Sequence, residues 1–303
     1  MKLAVVILSY NAARLLPAVF DGISIQRMQP GEVIVLDSNS RDSSCAIASA
    51  RGARVVTHGE RKFNHGGTRR WGSELTEAEI IVYLTHDAVP ADEDCFANIV
   101  SVFDRVPDAG ASFGRQLAYP AAGPLGRHHR EFNYPQETRI KRLGDAKSLG
   151  IKTGFLSDSF SAYRRDRLME IGGFPEDVIS CEDQHVGARM ILAGYSLVYA
   201  GAACVYHSHD YSVVEEFRRY FDNGAFYAMN PWIMDKFGGA SGEGIRFVRS
   251  ELAYLVRTGR WDMFPKALAG TAAKYAGFKA GLNQARFSNA TKRRLSMFSG
   301  YWA

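Results

Sequence analysis

Cysteine is scarce in this chain. Cys45, Cys95, Cys181 and Cys204 are scattered through 303 residues without a C-x-x-C pair. They read as reduced thiols of a cytosolic protein, not as a disulfide framework. Long apolar runs are missing too: no stretch approaches the roughly 18–20 residues of a transmembrane helix. Ala4 to Leu8 is too short for a signal-peptide core, and no cleavage pattern follows it. The expected location is therefore cytoplasmic. Repeats and low-complexity segments are absent. No G-x-G-x-x-G follows the first apolar run, which argues against a dinucleotide fold. No G-x-x-x-x-G-K-[ST] occurs, which argues against a P-loop kinase.

Charge is present but unevenly placed. The net charge is +5. From Ser241 to Ala303 there are eleven Lys or Arg against three Asp or Glu, a net of +8, so the first 240 residues carry −3. An acidic body with a basic, aromatic-containing tail points to an anionic surface as partner, membrane or nucleic acid. No nucleic-acid-binding motif appears, and nucleic acid is set aside.

The first hundred residues alternate apolar runs with helical patterns. Leu3 to Leu8, Val33 to Leu36, Arg54 to Thr57 and Ile80 to Leu84 predict strands, with helices between them. This β-α-β-α-β order predicts an α/β protein with a mainly parallel central sheet and right-handed crossovers. Ligands of such sheets bind at the carboxyl ends of the strands. Ser9-Tyr10-Asn11, Asp37-Ser38-Asn39-Ser40 and Thr85-His86-Asp87 all stand there. Asp37 is placed to accept hydrogen bonds from a ribose or base, and Asp87 to hold a divalent cation on a diphosphate. Phe63 to Arg70, FNHGGTRR, puts two glycines beside His and Arg, which lets backbone approach an anion; a tight turn with solvated arginines is the other reading.

The stretch from Ser180 to Ser212 carries the densest chemistry. Glu182 and Asp183 open a predicted helix whose apolar stripe is Val186, Met190, Ile191 and Leu192. Leu197–Tyr199 and Cys204–Tyr206 predict two short strands, the second ending on His207, Ser208 and His209. Carboxylates at a helix start and histidines at a strand end suit a site needing a general base and a metal or phosphate contact. The acidic pair also favours its helix dipole without any catalysis, and His-x-His on a strand alternates faces.

The order of LSYN, VIVLDSNSRDSS, FNHGGTRR, YLTHDAVP, a GGF turn, CEDQH and VYHSHDYS resembles the family 2 inverting glycosyltransferases with the GT-A fold. FNHGGTR, the T-x-D-A-x-P strand end and HSHxYS are similar to the bacterial rhamnosyltransferase branch. The likeness covers 1–226, the expected GT-A domain; 227–303 is the expected basic helical region. It implies an inverting transfer of L-rhamnose from dTDP-L-rhamnose to a hydroxyl of a lipid-linked surface glycan. Asp183 matches the general base, with Glu182 beside it acting on acceptor or loop. Asp37 matches the residue contacting the donor nucleoside, and Arg69 the arginine beside the base or diphosphate. Ser9, Tyr10, Ser38, His65, Gly66, His86 and Asp158 join them as donor-pocket residues. Asp87 matches the last Asp of a D-x-D, and His207 or His209 a histidine that completes a site for Mg2+ or Mn2+. Thr85 replaces the first Asp of that motif, so metal dependence stays open. Arg70 stands where Asn is usual and adds a phosphate contact.

Gly110–Gly114 and Gly154–Tyr163 predict further strands. Tyr119 to Leu149, with Arg127-His128-His129-Arg130, predicts a mobile loop over the site. The tail predicts a basic amphipathic helix pair, lying on the inner face of a membrane, packed on the body or joining a homodimer. Another hexose or N-acetylhexosamine donor, and a non-catalytic sugar-nucleotide-binding protein, are the competing functions.

Overall fold

Leu3 to Ser9 forms β1 (Leu3–Ser9), buried along its whole length in the computed structural model, which describes residues 2–61, 63–239 and 242–303. Ala240 and Ser241, inside the expected C-terminal region, lie outside the described residues. After β1 come α1 (Leu16–Ser24), β2 (Glu32–Asp37), α2 (Ser44–Ala50), β3 (Arg54–Thr57), α3 (His65–Glu74) and β4 (Ile80–Thr85). These strands pair in parallel in the order β3-β2-β1-β4, as the alternating pattern predicts. Their side chains split by the two-residue period. Val6, Leu8, Ile34, Leu36, Ile81 and Tyr83 face one core; Val5, Ile7, Val35, Val82 and Leu84 face the other.

The chain continues through β5 (Val89–Pro90), α4 (Cys95–Val100), α5 (Val102–Arg105), β6 (Ala109–Leu117), α6 (Pro124–Asn133), β7 (Arg139–Lys141) and α7 (Ala146–Leu149). Then come β8 (Phe160–Arg164), α8 (Arg165–Glu170), α9 (Glu182–Leu192) and β9 (Ser196–Tyr206). β8 lies antiparallel between β4 and β6, and β9 runs parallel to β6. So β1 to β4, β6 and β9 all point one way and end on one edge. Short β5 and β7 close against β9. The segment 119–149 is not a loop: α6 packs on the C-terminal helices and β7 joins the sheet. His128 is buried beside Phe247 and Tyr254, residues far along the chain that supply its apolar partners. Gly154 is not in a strand either. It sits in a 3-10 turn pressed on α9, where a Cβ on Gly187 would come within 2.1 Å of the Gly154 carbonyl oxygen. The two strands expected between 197 and 206 are one, with a register shift opposite Gly114 and Arg115.

Helices α10 (Val213–Met229), α11 (Pro231–Phe237), α12 (Glu243–Arg257), α13 (Phe264–Leu282) and α14 (Asn289–Leu295) complete the chain. Ser212 caps α10 in a capping box with Glu215. Residue 226 falls inside α10, and Phe221, Phe226 and Trp302 share one core with the sheet, so the packing is continuous across the expected boundary. Among the described residues no helix is long and apolar enough to cross a membrane.

Candidate active site

Two clusters of functional side chains form along the carboxyl edge of the sheet. The first follows β4 and β9. Asp87 Oδ2 lies 3.5 Å from His207 Nε2 and 3.3 Å from His209 Nε2. The two ring nitrogens are 3.1 Å apart. One carboxylate oxygen and two imidazole nitrogens therefore converge, the one such group able to hold a metal ion among the described residues. Burial opposes charge on Asp87, but its contacts with both histidines outweigh it and hold the carboxyl well below the usual range. Burial, then the neighbouring His207, lowers His209 to about 4 and favours the neutral imidazole that a metal needs. This donor set fits a divalent cation. Two imidazoles and one carboxylate suit a transition ion, which accepts imidazole nitrogen, better than Mg2+, which prefers oxygen.

The second cluster lies where α9 begins beside the entry to β8. Arg69, on α3, is 5% exposed; its Nε meets Asp158 Oδ2 at 3.0 Å and its Nη1 meets Glu182 Oε1 at 2.5 Å. Asp158 also accepts hydrogen bonds from Ser161 Oγ at 2.6 Å and Tyr163 Oη at 2.5 Å. Asp183 accepts from its neighbour Gln184 N at 2.7 Å and from Asp158 N at 3.3 Å. Two of the three carboxylates, Asp158 and Glu182, thus share one guanidinium. Burial works against charge on Glu182, but Arg69 outweighs it and lowers its pKa. Burial raises Asp158. Asp183 has no cation of its own; burial first, then Glu182 and Asp158, pushes it up to about 8. A buried carboxyl that releases its proton just above neutrality has the acidity of a general base for a hydroxyl.

These contacts rest on a close approach in α3. Asn64 caps the helix by accepting from Gly67 N at 2.8 Å and anchors it by donating Nδ2–H to Val178 O. A Cβ on Gly66 would sit 1.8 Å from the Pro175 carbonyl oxygen. Only glycine lets α3 come near enough to bring Arg69 under Glu182.

The expected donor residues divide. Ser9 and Asp37 are register partners at the ends of β1 and β2, and Ser38 N donates to Ser9 O. Tyr10 is 54% exposed beside them. His86 Nδ1 lies 3.1 Å from Leu8 O, tying the end of β4 to β1. Asp37 departs from expectation: it is buried, and Ser40 donates its N–H and Oγ–H to the two carboxylate oxygens. It shapes the loop after β2 that carries Ser38. Arg69 departs further, since Glu182 and Asp158 engage its guanidinium away from solvent. Asp158 and Glu182 are likewise members of this buried cluster. His65 and Gly66 lie against it, His65 packed between Phe63 and Phe298. Sequence reasoning missed Gln116, which bridges the two clusters: its Nε2 donates to Ser157 Oγ at 2.8 Å, and its Oε1 lies 2.9 Å from His207 Nδ1. Gln116 lies beyond the strand expected over 110–114, directly after Arg115, so no local pattern pointed to it.

A mainly parallel sheet with a candidate cation cluster on its carboxyl edge, its parallel run broken by the reversed β8, is the GT-A arrangement of sugar-nucleotide transferases. Residues 4–172 match the model of glycosyl transferase family 2, and the chain belongs to that family; it is a glycosyltransferase. It is 43% identical to the O-antigen chain rhamnosyltransferase RfbN of Salmonella typhimurium, over 100% of this chain and 96% of the relative. Against the O-antigen chain rhamnosyltransferase WbaN of Salmonella anatum it is also 43% identical, covering 93% and 90%. The fold is similar to that of a mannosyltransferase from Pyrobaculum calidifontis solved with GDP-Man and Mn2+. That match has TM-score 0.60 and 19% identity and covers 99% of this chain and 84% of the other.

Proposed function

We propose that the protein transfers L-rhamnose from dTDP-L-rhamnose to a hydroxyl of a bacterial surface glycan carried on a lipid. The observation that carries this reading is 43% identity, over the full chain, to an O-antigen chain rhamnosyltransferase. The chemistry is a single in-line displacement. The acceptor oxygen attacks the anomeric carbon, its proton passes to Asp183, and the bond to the diphosphate breaks as dTDP leaves. One inversion of a β-linked donor gives an α-rhamnoside. Asp87, His207 and His209 would hold a divalent cation, which would supply positive charge beside the departing diphosphate. Glu182 and Asp158 take up the Arg69 guanidinium, and burial with their negative charge leaves Asp183 its raised basicity. Ser9, Tyr10 and Ser38 line the nucleoside end of the donor site.

The outer side of the α12–α13 hairpin exposes Ile245, Val256, Trp261, Leu268 and Tyr275 among basic side chains. This face meets the inner leaflet that carries the acceptor; a homodimer contact is the competing use. The test of function is direct. Calorimetric titration should show dTDP binding tighter than GDP or CMP, and transfer from dTDP-L-rhamnose should be faster with Mn2+ than with Mg2+. Preference for GDP overturns the donor. Undiminished transfer in EDTA overturns the metal.

A further inference from the structure

We propose that Gln116 is a positioning residue that fixes which nitrogen of His207 carries the proton, and so readies the other for the metal. The proposal rests on the reading of Asp87, His207 and His209 as metal ligands. Gln116 lies on β6, opposite Val205 of β9, and is 2% exposed. His207 follows β9 directly, and its backbone N–H donates to Leu117 O at 2.9 Å. The glutamine amide is thus held beside the imidazole by the sheet itself.

Arg130 settles the orientation of that amide. Its Nη1 donates to Gln116 Oε1 at 2.6 Å. A guanidinium has donors only, so the amide oxygen must face it. The amide nitrogen then faces Ser157 Oγ, where it donates at 2.8 Å. The oxygen that accepts from Arg130 is the same atom that lies 2.9 Å from His207 Nδ1. An oxygen held as an acceptor there requires a proton on Nδ1. The neutral ring then carries its lone pair on Nε2, the atom that faces Asp87 and His209. Free imidazole prefers neither role strongly enough to guarantee this, and a ligand with the wrong tautomer must shift a proton before it can bind. Among the described residues the His209 ring makes its one hydrogen bond to His207, so it has no comparable anchor.

Arg130 comes from α6, which Lys274 of α13 clasps through His129 Nε2 at 2.8 Å. The tautomer of one metal ligand is therefore set by a relay that starts on the helical face.

Two variants and two readouts test the assignment on the full-length protein. Gln116→Met keeps the volume and removes the acceptor oxygen. Gln116→Glu keeps that oxygen and adds attraction to Arg130. Long-range proton–nitrogen NMR on metal-free wild type should show His207 protonated on Nδ1. Electron paramagnetic resonance titration with Mn2+ alone should show about 10–100-fold weaker binding for Gln116→Met, the range typical of lost ligand support. Gln116→Glu should stay within about threefold of wild type, since it restores the support. A neutral His207 ring protonated on Nε2 and not on Nδ1 in the wild type overturns the proposal, even if Gln116→Met fails to fold. So does wild-type Mn2+ affinity in Gln116→Met, or an equal loss in Gln116→Glu. A wild type that binds no Mn2+ overturns the metal reading itself, and the proposal with it.

Discussion

Asp183 holds a proton near neutrality because burial, and then the neighbouring Glu182 and Asp158, oppose its charge. In the unfolded chain it titrates near 3.8; in the fold, at about 8. Between those values the folded state carries a proton that the unfolded state lacks. Stability from this group therefore falls as pH rises through the window. Asp183→Asn removes that dependence, so its melting temperature should gain on wild type as the pH is raised from about 5 to about 8. The same change should lower transfer by about 10²-fold or more, because the base is gone. Wild-type kcat/KM should climb with pH and level off above about 8. Paired thermal melts and pH–rate profiles check both halves. A variant that is inactive yet no more stable at high pH would mean that Asp183 is ionised in the fold. Retained transfer would leave the acidic pair as a helix cap.

At the scale of elements, the helix α3 offers a contrast between adjacent glycines. A Cβ on Gly66 would overlap the Pro175 carbonyl, whereas the nearest atom to a Cβ on Gly67 is 3.5 Å away. Gly66→Ala should cost about 1–3 kcal/mol and disturb the Arg69–Glu182 pair, as overpacking does. Gly67→Ala should change stability by less than about 0.5 kcal/mol. Denaturant melts distinguish them, and equal effects would refute the close approach. The sequence made the parallel half of the sheet readable because Leu3–Leu8 and Ile80–Leu84 are uninterrupted apolar runs. It also placed Asp87 with His207 and His209, since strand ends in a one-way sheet share an edge. It did not reveal the partner of Arg69, because an ion pair across 113 residues leaves no local periodicity. Nor did it reveal α6, whose buried His128 is a polar letter given an apolar setting only by Phe247 and Tyr254. The single strand β9 was hidden by Gly201, whose Cβ would strike the Gln136 carbonyl and which therefore interrupts the apolar pattern.

Across the whole molecule, the basic tail is anchored on one side and open on the other. α13 lies against α10 through close backbone contacts: a Cβ on Gly281 would come within 2.1 Å of Phe221 O, and one on Gly277 within 2.3 Å of Phe217 O. That leaves Ile245, Trp261, Leu268 and Tyr275 on the outside. The protein should sediment with anionic vesicles at low salt and leave them as salt rises, because surface attraction is screened. Trp261→Glu should weaken this without altering donor binding in solution. No vesicle binding, with a dimer in analytical ultracentrifugation, would assign the same face to a second copy.

The reversed strand β8 has a consequence for how the molecule is born. Its neighbours are β4, made about eighty residues earlier, and β6, and the strand beyond them, β9, arrives last. The parallel units β1 to β4 emerge from the ribosome with an unfilled edge at β4. They wait for β8 to cover it and for β9 to deliver the two histidines. Such distant pairing is slow and leaves an edge open to wrong partners. A nascent chain halted short of residue 210 has no complete cation site, so chemistry is acquired only when synthesis has passed two-thirds of the sequence.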